Sequence, residues 1–313
     1  MGFLKERSKQ TYSKGKFSVN PPFPRAMMVE LTNLCNHACI FCFNQHSTRK
    51  PGFIDESLLM SVLGDAYRLG TREVGFYTTG ETLTAMSRVF VDAHIYYAKH
   101  ILGYDYVYIS TNGSLMSPGV VTRLVDAGID SIKLSINAAT RETYRLIHGV
   151  DQFDRVMDNL LYLAHLPSVP VKTGVSFILT DENRHERELA EDTIGMMVDD
   201  IVFWEEGIQG GYRVPDRNPQ KTNTAPCPMV FNRFHVTYEG YFTLCCVDYQ
   251  NYLAVADLDK VSLETAWNSD LAVDMRKRHL SKDLTGTMCH RCITGDESDI
   301  KPLVGGYATT QEG

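Results

Sequence analysis

Apolar residues along the chain fall into short runs, separated by polar stretches with a different period. Six runs have the length and the β-branched or aromatic content of buried strands. They are MMVEL (27–31), EVGFYTT (73–79), YVYIST (106–111), SIKLSIN (131–137), VKTGVSFIL (171–179) and DIVFW (200–204). Between most of them, over 56–69, 89–102, 118–127 and 153–166, apolar positions recur at helical spacing. Strands alternating with helices imply βα units and a parallel sheet, so the pattern predicts an α/β fold of the partial (β/α)6 barrel kind.

The alternation stops near Gly207, where IQGGYRVPDRNPQKTNTAPCP is rich in Pro, Gly and Asn. Beyond it, FHVTYEGYFTLCC reads as a β-hairpin turning at Glu239-Gly240, and 263–279 as a helix. The expected organisation is an N-terminal extension (1–25), the barrel (26–212), a smaller module (213–300) and a loose tail (301–313).

With 313 residues, 43% of them hydrophobic, the chain is long enough to bury a sizeable core. A net charge of −7 speaks against a broad nucleic-acid footprint. No apolar run approaches the roughly eighteen residues needed to cross a bilayer. The start, MGFLKERSKQTYSKGKF, lacks the apolar segment of a secretory signal, and Glu6 stands where a myristoylation motif wants Ser or Thr. A cytoplasmic protein with no nucleic-acid or membrane partner is expected. In that reducing setting clustered cysteines point to metal or redox chemistry.

Eight cysteines are present, and Cys35, Cys39 and Cys42 share one short stretch, C-x3-C-x2-C, directly after the first predicted strand. In parallel α/β folds chemistry sits beyond the carboxyl ends of the strands, which is where these thiols fall. A structural zinc normally takes four protein ligands, whereas three thiolates suit a four-iron cluster with one iron left open. Zinc borrowing a fourth ligand from His37, His46 or a distant cysteine is the competing reading of the same spacing.

The cysteine spacing, its place after strand one and the strand–helix alternation together resemble the radical S-adenosylmethionine (SAM) enzymes. The resemblance implies that the open iron chelates the amino and carboxylate groups of SAM, and that reductive cleavage gives a 5′-deoxyadenosyl radical. It also implies that Phe41 packs on the adenine. In TTGETL, Gly80 and Glu81 match the family's Gly-Gly-Glu-Pro, whose Glu binds the SAM amino group, while Thr79 and Thr82 depart from it. STNGSL offers Ser110 and Asn112, and IKLSINA offers Ser135 and Asn137, towards the ribose or methionine. Short polar residues also cap strands and turns without any ligand.

Cys227, Cys245, Cys289 and Cys292, with a G-x4-C from Gly240 and a late C-x2-C, resemble the SPASM/Twitch extension of this family. That resemblance implies an auxiliary [4Fe-4S] cluster, two clusters in all; spacing alone also allows zinc. Cys246 is left over. On an extended segment it is expected to face away from Cys245 towards the barrel mouth, as a hydrogen-atom donor or a packed thiol.

Small enzymes of this kind resemble those that modify sugars and aminocyclitols in antibiotic biosynthesis. The expected function is radical epimerisation of a polyhydroxylated small molecule, with Cys246 as catalytic donor, or its dehydrogenation with the auxiliary cluster as electron acceptor. An external one-electron reductant such as flavodoxin or ferredoxin is implied. Glu205, Glu206, Tyr212 and Arg213, after the sixth strand, are candidate substrate contacts, although a charged connecting loop reads the same way. A peptide maturase and a metal-stabilised binding module are the other readings.

Overall fold

The computed structural model describes residues 2–12, 15, 17–166, 171–212, 214, 217 and 223–308. The six predicted strands form β1 (Ala26–Val29), β2 (Glu73–Phe76), β3 (Tyr106–Thr111), β4 (Ser131–Ser135), β5 (Lys172–Leu179) and β6 (Asp200–Glu205), each parallel to the next. The predicted hairpin forms β7 (Arg233–Val236) and β8 (Tyr241–Thr243), and β9 (Ala254–Asp257) follows. These last strands do not build a separate sheet. β7 pairs parallel with the free side of β1, from Ala26↔Arg233 to Val29↔Val236, giving one nine-stranded sheet in the order β6-β5-β4-β3-β2-β1-β7-β8-β9.

The parallel strands alternate in side-chain direction, as the pleat requires. Val74, Phe76, Val107, Ile109, Ile132 and Leu134 are fully buried beneath the helices. The opposite faces carry Tyr108, Ser110, Lys133, Ser135, Arg233 and His235 into the lumen, where Ser110, Lys133 and Ser135 are half-buried and the others buried.

The covering helices are α1 (Phe3–Thr11), α2 (Glu56–Arg68), α3 (Val91–Tyr96), α4 (Pro118–Asp126), α5 (Arg141–His148), α6 (Phe153–Ala164) and α7 (Arg187–Thr193). The helix expected over 89–102 is α3 followed by a wider π-type turn at Tyr97–Leu102, closed where the Gly103 and Tyr104 amides both donate to Ala98 O. The Tyr104 hydroxyl then reaches Leu63 O at 2.9 Å. The N-terminal extension docks on the barrel: the Leu4 amide donates to Asp200, and Arg7 pairs with Glu73 and lies over the Tyr106 ring.

After α8 (Met229–Asn232), the helix expected over 263–279 is two, α9 (Leu263–Trp267) and α10 (Asp270–Ser281). Ser269 caps the second by accepting from the Ala272 amide, and a cap ends one helix where it starts another. α11 (Met288–Thr294) carries the last cysteines. The tail is not loose as far as Tyr307, whose ring stacks on Tyr241 at 4.4 Å, while the Leu303 amide donates to Tyr252 O. Among the described residues no helix is long and apolar enough to cross a membrane.

Candidate active site

The loop carrying Cys35, Cys39 and Cys42 follows β1 and is held by its surroundings. The last carbonyls of a helix lack partners within the helix. Those of α5 serve the loop: Ala38 N–H donates to His148 O at 3.0 Å and Ile40 N–H to Ile147 O at 2.9 Å. On the other flank Glu81 N–H donates to Leu34 O at 2.8 Å. Gly80 is required there, because a Cβ would lie 2.3 Å from Thr32 O and 2.8 Å from Leu34 O.

Glu81 is 3% exposed and accepts from the Thr111 hydroxyl (2.7 Å), the Asn112 amide (2.7 Å) and the Leu83 amide (3.0 Å). Burial holds its carboxyl above the ordinary value despite those donors. A carboxylate offers about four acceptor positions, so one is left for a ligand. Asn112 reaches Asn36 Oδ1 through Nδ2 at 2.8 Å, linking the end of β3 to the cysteine loop. Ser110 and Ser135 are half-buried on the lumen side, and Phe41 is buried. Asn137, in the left-handed region at φ 54, is turned to β5, where Oδ1 accepts from the Ile178 amide at 2.8 Å.

All eight cysteines are free thiols. Burial, then the neighbouring Cys42 and Cys35, hold Cys39 well above its ordinary pKa. A metal centre relieves that by replacing the proton. Zn–S bonds of ~2.3 Å keep two sulfurs within about 4.6 Å of each other. Among the described residues neither cysteine set has three ligand atoms within 4.8 Å of one another; only His37, Cys39 and His148 do. The donor chemistry and the wider spacing of the thiols fit an iron–sulfur cluster better than a single zinc.

His148 escaped the sequence reading. Its Nε2 lies 2.5 Å from Ile136 O, so Nε2 carries the proton and Nδ1 accepts, with His37 Nδ1 at 3.2 Å and Cys39 Sγ at 3.3 Å. Burial, then the neighbouring His37, hold His148 down at about 3, neutral beside the thiol. Thr140, whose side chain accepts from the Thr143 amide at the start of α5, was the available signal for the helix that carries it.

The second group gathers from three places. Cys227 precedes α8, Cys245 and Cys246 follow β8, and Cys289 and Cys292 lie one turn apart on α11. Cys227 and Cys289 each feel the charge of Cys292, as does Cys245. Gly211, φ +95, lets the chain after β6 approach α11, since a Cβ would lie 2.7 Å from Met288 O.

One expectation is corrected. Cys245 and Cys246 are not on an extended segment, because β8 ends at Thr243 and the chain turns, and Cys245 feels the charge of Cys246. The neighbouring Cys245 thiol, opposed by burial and helped by Arg233 and Lys133, brings Cys246 down to about 7. Lys133 lies on the lumen face of β4, with its ammonium 5.0 Å from the Tyr77 ring centre, and burial brings it down to about 8.

The candidate substrate residues are engaged elsewhere. Glu205 is half-exposed and paired with Arg184, and Glu206 is held by Arg217 at 2.5 Å. Tyr212 donates to Asp248 at 2.9 Å and stacks on Phe43 at 4.6 Å, packing the cysteine loop against the C-terminal strands. Arg213 lies outside the described residues.

The profile of the radical SAM superfamily matches residues 29–193, and that of the SPASM domain, an iron–sulfur cluster-binding domain, matches 227–293. A "Probable GTP 3',8-cyclase" of Saccharolobus solfataricus is 31% identical over 160 residues, 51% of this chain and 49% of that protein. The chain thus spans about half the length of the curated relatives it matches. Two solved structures share the fold. Streptococcus suis SuiB bound to its precursor peptide SuiA has a TM-score of 0.67 at 16% identity, covering 82% of this chain and 68% of that one. BtrN with AdoMet and 2-DOIA has a TM-score of 0.55 at 16% identity, covering 81% and 86%.

Proposed function

The chain belongs to the radical SAM superfamily and carries a SPASM domain, and from that premise we propose that it epimerises a hydroxyl-bearing carbon of a small carbohydrate or aminocyclitol. The radical SAM domain binds SAM and a [4Fe-4S] cluster, and the SPASM domain binds auxiliary iron–sulfur. When bound, SAM and its cluster supply a primary carbon radical that removes a hydrogen atom from the substrate.

The remaining roles belong to the chain's own side chains. Cys35, Cys39 and Cys42 hold the first cluster, and Cys227, Cys245, Cys289 and Cys292 the auxiliary one. Glu81 keeps an acceptor for the SAM amino group, with Gly80, Phe41, Ser110, Asn112 and Ser135 around the rest of the molecule, while Asn137 holds β5 behind them. Cys246 gives the S–H hydrogen to the opposite face of the substrate radical. The thiyl it leaves takes up one electron and a proton, the electron from an external reductant such as flavodoxin or ferredoxin. The observation that carries this reading is the Cys246 thiol, half-buried and within electrostatic reach of Lys133 and Arg233 on the lumen side.

Lys133 favours a second reading on the same substrate class. An amine brought down to about 8 inside the lumen is fit to take the hydroxyl proton during dehydrogenation to a ketone. Turnover in D2O separates the two: one solvent deuterium on the reacting carbon, lost in Cys246→Ala while hydrogen abstraction continues, supports epimerisation. A product lacking two hydrogens transfers the assignment to dehydrogenation. The SuiB likeness keeps a peptide maturase as the competing class, and SAM cleavage stimulated by a linear peptide and by no sugar would establish it. The cyclase name of the Saccharolobus relative attaches to a protein of which this chain matches about half.

A further inference from the structure

The buried carboxylates around the barrel and its junction with the C-terminal strands are already engaged. Glu30 is held by Arg49, Glu81 by Thr111 and two backbone amides, and Asp248 by Tyr212, Thr243 and the Tyr252 and Leu253 amides. Two cations on the lumen surface have no carboxylate beside them, and the one acidic side chain both feel, besides tyrosine, is the Cys246 thiol.

Lys133 sits in register with Ser110 of β3 and Gly174 of β5. Beyond the Tyr77 ring, the charges it feels are Cys246 and Arg233, with no carboxylate among them. Arg233 is 7% exposed, and its partners are neutral: Nη1 donates to the Tyr108 hydroxyl at 2.9 Å and Nη2 to the Thr11 hydroxyl. Its Nε–H is buried without a partner.

A guanidinium taken out of water without a counter-charge is costly, and so is a buried donor left unmade. Accepting the proposed use of the lumen as the substrate site, we infer that the substrate carries an acidic group, a carboxylate or a phosphate, bound by Lys133 and Arg233. The acid supplies a full negative charge that the Cys246 thiol, while it holds its hydrogen, does not, and an acceptor for Arg233 Nε. Tyr77 and Tyr108 wall the same space, their rings 5.7 Å apart. A neutral polyol leaves both cations desolvated with only the Cys246 thiol facing them.

The test uses the full chain with both clusters reconstituted and SAM bound, titrated calorimetrically with glucose, glucuronate and glucose 6-phosphate. At least one acidic probe is expected to bind about tenfold or more tighter than glucose. Whichever acidic probe binds better identifies carboxylate or phosphate as the group recognised. Lys133→Gln and Arg233→Gln should each bring the preference close to unity with iron content unchanged, and Lys133→Arg should retain it. Equal affinities, failure of both acidic probes to bind at about 10 mM, or a preference that survives in both Gln variants overturns the inference. If a Gln variant loses iron, the wild-type preference and Lys133→Arg decide. SAM cleavage under dithionite is measured in parallel. Its absence defeats the radical reading and leaves the binding preference standing, whereas cleavage without preference defeats only the acidic substrate.

Discussion

The Tyr249 hydroxyl lies 3.6 Å from Cys42 Sγ and 2.7 Å from Gln209 Oε1, and with Cys42 as a thiolate its single proton can be given to the sulfur. Tyr249 follows Cys246 closely in the chain and also feels the charges of Cys246 and Cys245, so one buried phenol stands between the two thiol groups. The Ser47 hydroxyl fixes the same turn by donating to Tyr249 O at 2.7 Å. Hydrogen bonds at cluster sulfurs are one of the levers on reduction potential. Tyr249→Phe is therefore expected to keep its iron and to lower the midpoint potential of the SAM-binding cluster, read by EPR-monitored redox titration. An unmoved midpoint would reduce the contact to packing.

Cys39→Ala removes a thiol that the protein buries beside two others. Iron should fall from about eight to about four per chain, with the auxiliary cluster spectrum retained. Deoxyadenosine formation should stop altogether. Persistent SAM cleavage in that variant would overturn the assignment of the first cluster.

Gly80→Ala forces a methyl against Thr32 O and Leu34 O, both backbone atoms of the cysteine loop's approach. Neither can swing aside as a side-chain tip would, and overpacking of this kind costs about 1–3 kcal/mol. A lower thermal midpoint together with weaker SAM binding is expected. The Gly70→Ala control, at φ +106 with open space around it, should cost stability and leave SAM binding alone.

Arg49 holds Glu30 and, through Nε at 2.8 Å, Glu239, tying the end of β1 to the turn before β8. Burial raises the Glu30 carboxyl, but Arg49 and the Thr79 and Tyr238 donors outweigh it, and the group stays below its ordinary 4.5. Its ionised form therefore stabilises the fold at neutral pH, and that contribution is lost as pH falls below about 4.5 through the folded-state value. Arg49→Met should cost about 3–5 kcal/mol at pH 7 by leaving a buried charge unpaired. Without the guanidinium the shift reverses, so the deficit against wild type should shrink on acidification, as thermal midpoints at the two pH values will show.

Strand runs were legible because both faces of a parallel strand are sheltered and read as near-continuous apolar stretches such as EVGFYTT. The cysteine loop was legible because its spacing is local. What escaped was carried by distant residues or by the second face of a strand. In SIKLSIN, Lys133 between Ile132 and Leu134 places a cation opposite the helix-facing core, but the apolar run masks it. α5 is hard to read because RETYRLIH is short and its helically spaced buried face, Thr143, Tyr144, Ile147 and His148, is half polar. The Cys245-Cys246 geometry departs from alternation for a different reason: β8 stops at Thr243, before either cysteine.

The parallel pairing of β1 with β7 bears on how such a chain can be cut and recombined. Stopping before Arg233 would strip one whole side of Ala26–Val29 of its backbone partners, turning an interior strand into an exposed edge open to another copy of the chain. A chimera exchanging everything after the barrel would have to match the donor's strand register to Ala26, Met27, Met28 and Val29, besides providing cysteines in the right places. The cysteine-rich end is thus a missing plank of the first unit's own floor, and heredity or engineering that shuffles the two must shuffle that plank with care.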